Sequence, residues 1–171
     1  MTINERLKRE DVEEYLEYRD GHLWWVDPTS NKVKKGQRFG CKNSNNYIRG
    51  SLKSQKYYEH SLIWFYHYGI WPKDQLDHIN GIRDDNRIEN LRECNNQQNS
   101  KNSAMKSSNT SGSTGVYWSK RDRRWIGEVM IGGNKIYIGR SKNIEEITSK
   151  VEKYRLQKGF SKRHGKKYLH T

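Results

Sequence analysis

The chain has 171 residues, enough for one ordinary domain or two small ones. Lys and Arg number 33 against 20 Asp and Glu, a formal net charge of +13, and hydrophobic residues make up only 32%. With a mean hydropathy of −1.20 this excludes one large apolar core, and the lack of any run of about 18 apolar residues excludes a transmembrane helix.

Residues 5–18 read as a short helix with Leu7, Val12, Tyr15 and Tyr18 on its inner face. Arg19-Asp20-Gly21 is a turn, and His22 to Val26 a strand stopped by Asp27-Pro28. Trp24 and Trp25 point to opposite faces of that strand, so one belongs to the core. Tyr47–Leu52 and Gln55–Tyr58 read as two more strands, and the three together predict a small antiparallel sheet. Its basic edge, with Arg49, is placed to lie against a phosphate backbone. His60–Tyr68 has helical spacing at Leu62, Ile63, Phe65 and Tyr66, ended by Gly69 and followed by Pro72. Leu76-Asp77-His78-Ile79 is a short apolar run before the turn Asn80-Gly81. Asn95–Asn102 is very polar and can open a helix.

Ser103–Thr114 has the small, polar composition of a flexible linker, so the domain boundary is expected there. Residues 1–106 then form one domain and 115–158 another. Gly115–Arg121, Arg124–Ile131 and Lys135–Arg140 read as three strands, the last two joined by Gly132-Gly133-Asn134. Asn143 caps a helix whose apolar stripe is Ile144, Ile147, Val151 and Tyr154. Residues 159–171 are a basic tail.

The charge is uneven. Residues 1–106 carry 18 basic and 15 acidic side chains, net +3, and residues 107–171 carry 15 and 5, net +10. A polyanion partner, double-stranded DNA in the first place, follows for the second part. The basic residues alternate with Trp and Tyr in strand-like runs instead of lining an amphipathic helix, which argues against a membrane surface. Cys41 and Cys94 are too few for a disulfide framework or a four-cysteine zinc site. The first twenty residues are of mixed charge and do not read as a signal peptide, so a cytoplasmic protein with reduced thiols is expected.

Asp77, His78, Asn90 and Asn99 carry the chemistry. A carboxylate and an amide oxygen are hard ligands for Mg²⁺, and a histidine can take a proton from water near neutral pH. A second amide can hold the other imidazole nitrogen. These are the parts of metal-assisted phosphodiester hydrolysis. Asp77 and His78, as strand neighbours, diverge, so one can hold metal while the other addresses a water.

The string DHINGIRDDNRIENLRECNNQQNSKN, preceded by the apolar helix and Pro72, resembles the HNH endonuclease family in its His-Asn-Asn variant from phage and introns. The resemblance covers His60–Asn102, about a quarter of the chain. Gly21-x-Leu-Trp-Trp and Tyr47-x-Arg-x-x-Leu resemble the segment that precedes this core in such phage proteins.

The resemblance implies an α+β fold with a ββα-metal core behind N-terminal antiparallel strands (residues 1–58 and 59–102). It implies Asp77 and Asn99 as metal ligands, His78 as general base and Asn90 as the residue orienting His78. Asn86 competes with Asn90, and Asn96 and Asn102 with Asn99. One divalent ion, Mg²⁺ with Mn²⁺ able to substitute, is the implied cofactor, with no small-molecule cofactor beside it. A single site per chain implies a monomer that nicks DNA, in the host cytoplasm if the gene is a phage's.

Residues 115–158 resemble the APETALA-type (ethylene-response-factor) DNA-binding domain, through Gly115-Val116-Tyr117-Trp118, Arg124–Val129 and Lys135–Arg140. That implies a three-stranded antiparallel sheet packed on one helix, its open face in the major groove. The pleat assigns Tyr117, Ser119, Arg121, Arg124, Glu128, Met130, Lys135 and Tyr137 to that face, of which all but Met130 are candidate DNA-binding residues. Val116, Trp118, Trp125, Val129, Ile136 and Ile138 go to the helix side. Plant members carry arginines where this chain has Tyr117, Ser119 and Met130, so no base preference carries over. A non-catalytic DNA-binding regulator is the rival reading. An RNA-binding module, resting on Tyr117 and Tyr137 as stacking aromatics, is a third.

Overall fold

A computed structural model describes residues 7–28 and 30–166, which divide into two compact units between Asn95 and Asn96. The first opens on helix α1, Arg9–Tyr15, where Asp11 accepts from the Lys8 backbone N–H at 2.8 Å and Glu10 and Asp11 face the positive end of the dipole. The sequence-predicted helix over 5–18 is shorter at its C-terminal end. Its residues 5 and 6 lie outside the described residues. Tyr18 belongs to strand β1, Leu16–Arg19, which turns back through Asp20 (φ 47°) and Gly21 (φ 82°) onto β2, His22–Trp25. Gly21 is required twice over: its φ is left-handed, and a Cβ there would stand 2.7 Å from Arg87 Cγ. Trp25 is the buried tryptophan of the pair.

β2 therefore does not join the strands after it, as the sequence suggested. β3 (Cys41–Lys42), β4 (Ile48–Leu52) and β5 (Gln55–Tyr58) form their own antiparallel sheet, and β2 meets that segment only through a bridge from Trp24 to Arg38. The reason is local: the tight Asp20-Gly21 turn gives β2 a partner before any distant strand is reached. Helix α2, Glu59–Tyr68, ends at Gly69 (φ 68°), whose N–H returns to Phe65 O at 2.8 Å. Val12, Leu16, Leu23, Trp25, Phe39, Leu52, Leu62 and Ile63 make the core of this unit. β6 (Gln75–His78) and β7 (Leu91–Cys94) close it as an antiparallel pair.

The second unit begins with the short helix α3, Asn96–Ser100. β8 (Val116–Ser119), β9 (Arg124–Ile131) and β10 (Asn134–Ser141) form a sheet in the order β10-β9-β8, with α4 (Ile144–Gln157) against it. Asn143 caps α4 by accepting from Glu145 N at 2.7 Å. Gly127 sets the helix close to the sheet, since a Cβ there would meet Val151 and Ile147 at 2.7 and 2.8 Å.

The serine-rich segment read as a linker is tied down. Met105 N donates to Lys166 O at 3.0 Å, Gly165 N to Ser103 O at 2.9 Å, and Thr114 Oγ1 to Gly165 O at 3.2 Å. Asn109 gathers the Gly112 N–H and the Ser113 carbonyl. The first part of the basic tail thus has partners, and residues 167–171 lie outside the described residues. Among the described residues no helix is long and apolar enough to cross a membrane.

Candidate functional site

β6 and β7 set the site by register: Asp77 stands opposite Arg92 and His78 opposite Leu91. Asp77 is buried, and Arg92 reaches across the pair to donate to its Oδ2 from NH2 (2.8 Å) and Nε (3.2 Å). His78, only 3% exposed, lies on the neighbouring position. Between the strands, residues 79–90 fold back on themselves. Ile82 N donates to Asn80 Oδ1 (2.8 Å), Asn80 Nδ2 to Asp85 Oδ2 (2.6 Å), and Arg87 grips both Asp85 oxygens at 2.8 Å, holding that carboxyl down to about 2.

Two asparagines do different work here. Asn90, expected to orient His78, bonds instead to the loop: it accepts from Asn80 N (3.0 Å) and donates to Asn80 Oδ1 (3.0 Å) and Asp85 O (2.7 Å). It clamps both ends of the turn that follows His78. The ring itself is held by Asn86, whose Oδ1 lies 2.8 Å from His78 Nε2. Asn86 is fully buried and donates its Nδ2 to Glu59 Oε2 at 2.7 Å. A carboxylate only accepts, so the amide nitrogen faces Glu59 and the amide oxygen faces the ring. His78 therefore carries its proton on Nε2 and its basic lone pair on Nδ1. Burial is the main influence on the ring and pushes its pKa down, against the opposing pull of the Asn86 bond.

Glu59 was not foreseen. It is fully buried at the first position of α2 and accepts from Leu23 N (3.0 Å), Arg38 NH2 (3.3 Å) and Asn86. The sequence offers only a lone carboxylate opening an apolar helix, which reads equally as a partner for the helix dipole. His60, next to it, meets His78 edge-on at 5.4 Å and stacks on Tyr58 at 5.3 Å. Its Nδ1 is buried without a partner, and burial holds it down to about 3, so it stays neutral. Arg49 lies over Tyr58 at 5.4 Å and Arg83 over Tyr47 at 5.0 Å, on the aromatic group around the two histidines. Asn99 is on α3, in the second unit.

On the second unit's sheet, Tyr117, Ser119, Arg124, Glu128, Lys135 and Tyr137 share one face by register, and Arg121 stands exposed in the β8–β9 turn. Tyr117 Oη donates to Glu128 Oε1 at 3.0 Å. Trp118, expected in the core, is 46% exposed: it packs edge-on against Trp125 at 5.3 Å at the margin of the α4 contact, which centres on Gly127. A bulge between Tyr137 and Gly139 shifts the parity of β10, so exposed Arg140 pairs with Ile126 and joins the open face. Gly139 inside a strand pattern was the available sign of it.

The HNH endonuclease family matches residues 57–101, the stretch that contains α2, β6, the clamped loop and β7. The chain is also 34% identical over 97 residues to "Protein 3.8" of Escherichia phage T7, an alignment spanning 56% of this chain and 79% of that protein. No solved structure matches. The chain belongs to the HNH endonuclease family, with its nuclease domain in the matched stretch.

Proposed function

We propose that the chain is a site-specific DNA endonuclease of homing type that nicks duplex DNA with one divalent metal ion and His78 as general base. The observation that carries this reading is the Glu59–Asn86–His78 chain of hydrogen bonds beside Asp77, within the family match. A base needs a fixed ring and a defined lone pair, and this chain supplies both. His78 takes a proton from water at Nδ1. Asn86 holds the ring, and Asn90 holds the backbone turn that follows it.

Asp77 and Asn99 would hold the ion. Among the described residues no group of three or more His, Cys, Asp or Glu could hold a metal. One carboxylate and one amide oxygen nevertheless suit Mg²⁺, which keeps several waters and takes few protein ligands. When bound, the ion would polarise the scissile phosphate and stabilise the leaving 3′-oxygen, giving 5′-phosphate and 3′-hydroxyl ends. Recognition falls to the second unit, as an APETALA-type domain. Its three-stranded sheet backed by one helix supports that reading, with Tyr117, Ser119, Arg121, Arg124, Glu128, Lys135, Tyr137 and Arg140 toward DNA and Arg49 on the backbone.

The test is nicking of supercoiled plasmid with Mg²⁺ and with EDTA, for the wild type and His78→Ala. Nicking that needs metal and is lost in the variant supports the reading. A wild type that binds DNA but never nicks, with Mg²⁺ or Mn²⁺, makes the chain a DNA-binding regulator instead.

A further inference from the structure

The second unit contains a cavity of about 260 Å³ that the nuclease reading does not use. Arg155, Lys166, His164, Ser113, Thr148 and Glu152 are among the residues lining it. Arg155 comes from the last turn of α4 and is only 7% exposed. Its Nε is buried without a hydrogen-bond partner, and it forms no ion pair among the described residues. Glu152 lends it some favourable charge, but burial outweighs that and pushes its pKa down, so the guanidinium is buried without a close ion pair, which is costly. The chain makes room for it all the same. At Gly115 (φ 73°) a Cβ would stand 2.3 Å from Glu128 O and 2.6 Å from Arg155 NH2, so the glycine lets the neighbouring strand backbone and the guanidinium both lie close.

His164 adds the second observation. Its Nδ1 is also buried and unpartnered. A neutral imidazole with its proton on Nε2 presents Nδ1 to the cavity as an acceptor. Burial, helped by the Arg155 charge, holds it down to about 4, so it is neutral at physiological pH. The lining thus combines cationic donors (Arg155 and Lys166), two hydroxyls (Ser113 and Thr148) and two acceptors (His164 Nδ1 and the Glu152 carboxylate). A fully deprotonated oxyanion would be repelled by the acceptors. An oxyanion that keeps one proton can satisfy both kinds of group.

We propose that this cavity binds a phosphate group carrying one proton, with Arg155 as its counter-charge and His164 Nδ1 as the acceptor of its hydroxyl. The volume exceeds that of one phosphate, leaving space for water or for the first atoms of an attached sugar. Free phosphate and a terminal phosphate monoester are two sources of the same chemistry.

The experiment is thermal unfolding of the full chain near neutral pH at matched ionic strength. Ligands at about 20 mM are sodium phosphate, sodium sulfate, thymidine 5′-monophosphate and thymidine, against sodium chloride. Phosphate or the monophosphate should raise Tm by about 3 °C or more, as expected of a ligand that binds only the folded state. Sulfate, thymidine and chloride should not. The larger of the two phosphate responses identifies the source. Arg155→Met, which keeps the volume and removes the charge, should abolish the rise, and Thr148→Val should reduce it if Arg155→Met fails to fold. No rise with either phosphate ligand, an equal rise with sulfate or thymidine, or a full rise in Arg155→Met or Thr148→Val overturns the proposal and leaves a water-filled cavity only.

Discussion

Replacing Asn86 by Ala separates the roles of the two asparagines. The substitution removes the bond to His78 Nε2 and the bond to the Glu59 carboxylate, both in fully buried surroundings. A bond to a charged group contributes about 1.5–3 kcal/mol, and a buried donor left unmade costs about 1–3 kcal/mol, so a loss of roughly 3–5 kcal/mol is expected. Glu59 keeps Leu23 N and Arg38, which holds the loss toward the lower part of that range. The imidazole then loses its tautomer and its orientation together, and nicking should fall by about 10²-fold or more even in folded protein. Urea unfolding gives the first quantity. Single-turnover nicking with Mg²⁺, well below the variant's melting temperature, gives the second. Asn90→Ala should behave differently, because its three bonds hold the loop and none reaches the ring. An Asn86→Ala protein with an unchanged unfolding midpoint and wild-type nicking would refute the relay.

His78→Ala should lower nicking by about 10²–10⁴-fold with nearly unchanged DNA affinity, read by rate and by gel shift on one preparation. His60 makes stability pH-dependent: its folded pKa of about 3 lies below the unfolded value of 6.5, so the unfolded chain binds the proton first. Its contribution is complete above pH 6.5 and is lost as pH falls toward 3; between pH 7.5 and 5 the loss should be about 2 kcal/mol. In His60→Phe that part of the pH slope should disappear from urea midpoints. DNA binding should weaken steeply with salt, and Lys135→Ala or Arg140→Ala should each flatten the log–log slope by about one unit if the side chain meets a phosphate. A binding constant flat between low and physiological salt would remove the polyanion argument. Gly127→Ala should push α4 off the sheet and cost about 1–3 kcal/mol in the same unfolding assay.

Elements decided by local patterns were legible in the sequence. Helix α2 follows from its apolar spacing and its glycine stop. The β9–β10 hairpin follows from Gly132-Gly133, and α4 from Asn143 and its stripe. Elements decided at a distance were not. β1 reads as the end of a helix until the Asp20-Gly21 turn supplies β2 as its partner. The two-residue β3 exists only because β4 pairs with it. At the site, Asp77, His78 and the asparagines were visible as a set, but Asn86 and Asn90 are chemically identical and four positions apart. Only the folded loop decides which of them meets the ring. Glu59 depends on Leu23 N and Arg38, which no local pattern brings to it. Arg140 was missed because one extra residue in β10 reverses which side chains face out.

The placing of an amide between Glu59 and His78 has a chemical consequence. A carboxylate bonded directly to the ring would favour the imidazolium, which cannot take a proton from water. Asn86 passes on the directional effect of the buried carboxylate without its charge at hydrogen-bond distance, so the ring is oriented yet remains a neutral base. The negative charges near the ring are matched by arginines: Glu59 has Arg38, Asp77 has Arg92 and Asp85 has Arg87. Arg83 adds positive charge on Tyr47, beside the ring. On the proposed reading, an approaching phosphodiester would meet carboxylates whose field is already compensated, together with a cation on the aromatic group beside His78. Asn86→Asp tests this reasoning against a purely steric role. It keeps the shape but puts a carboxylate 2.7 Å from Glu59 Oε2 and 2.8 Å from the ring. Either the new acid takes up a proton, restoring the donor to Glu59, or His78 becomes charged. In the second case nicking should be lost at neutral pH and recover as pH rises, whereas a steric role predicts wild-type rates across the whole profile.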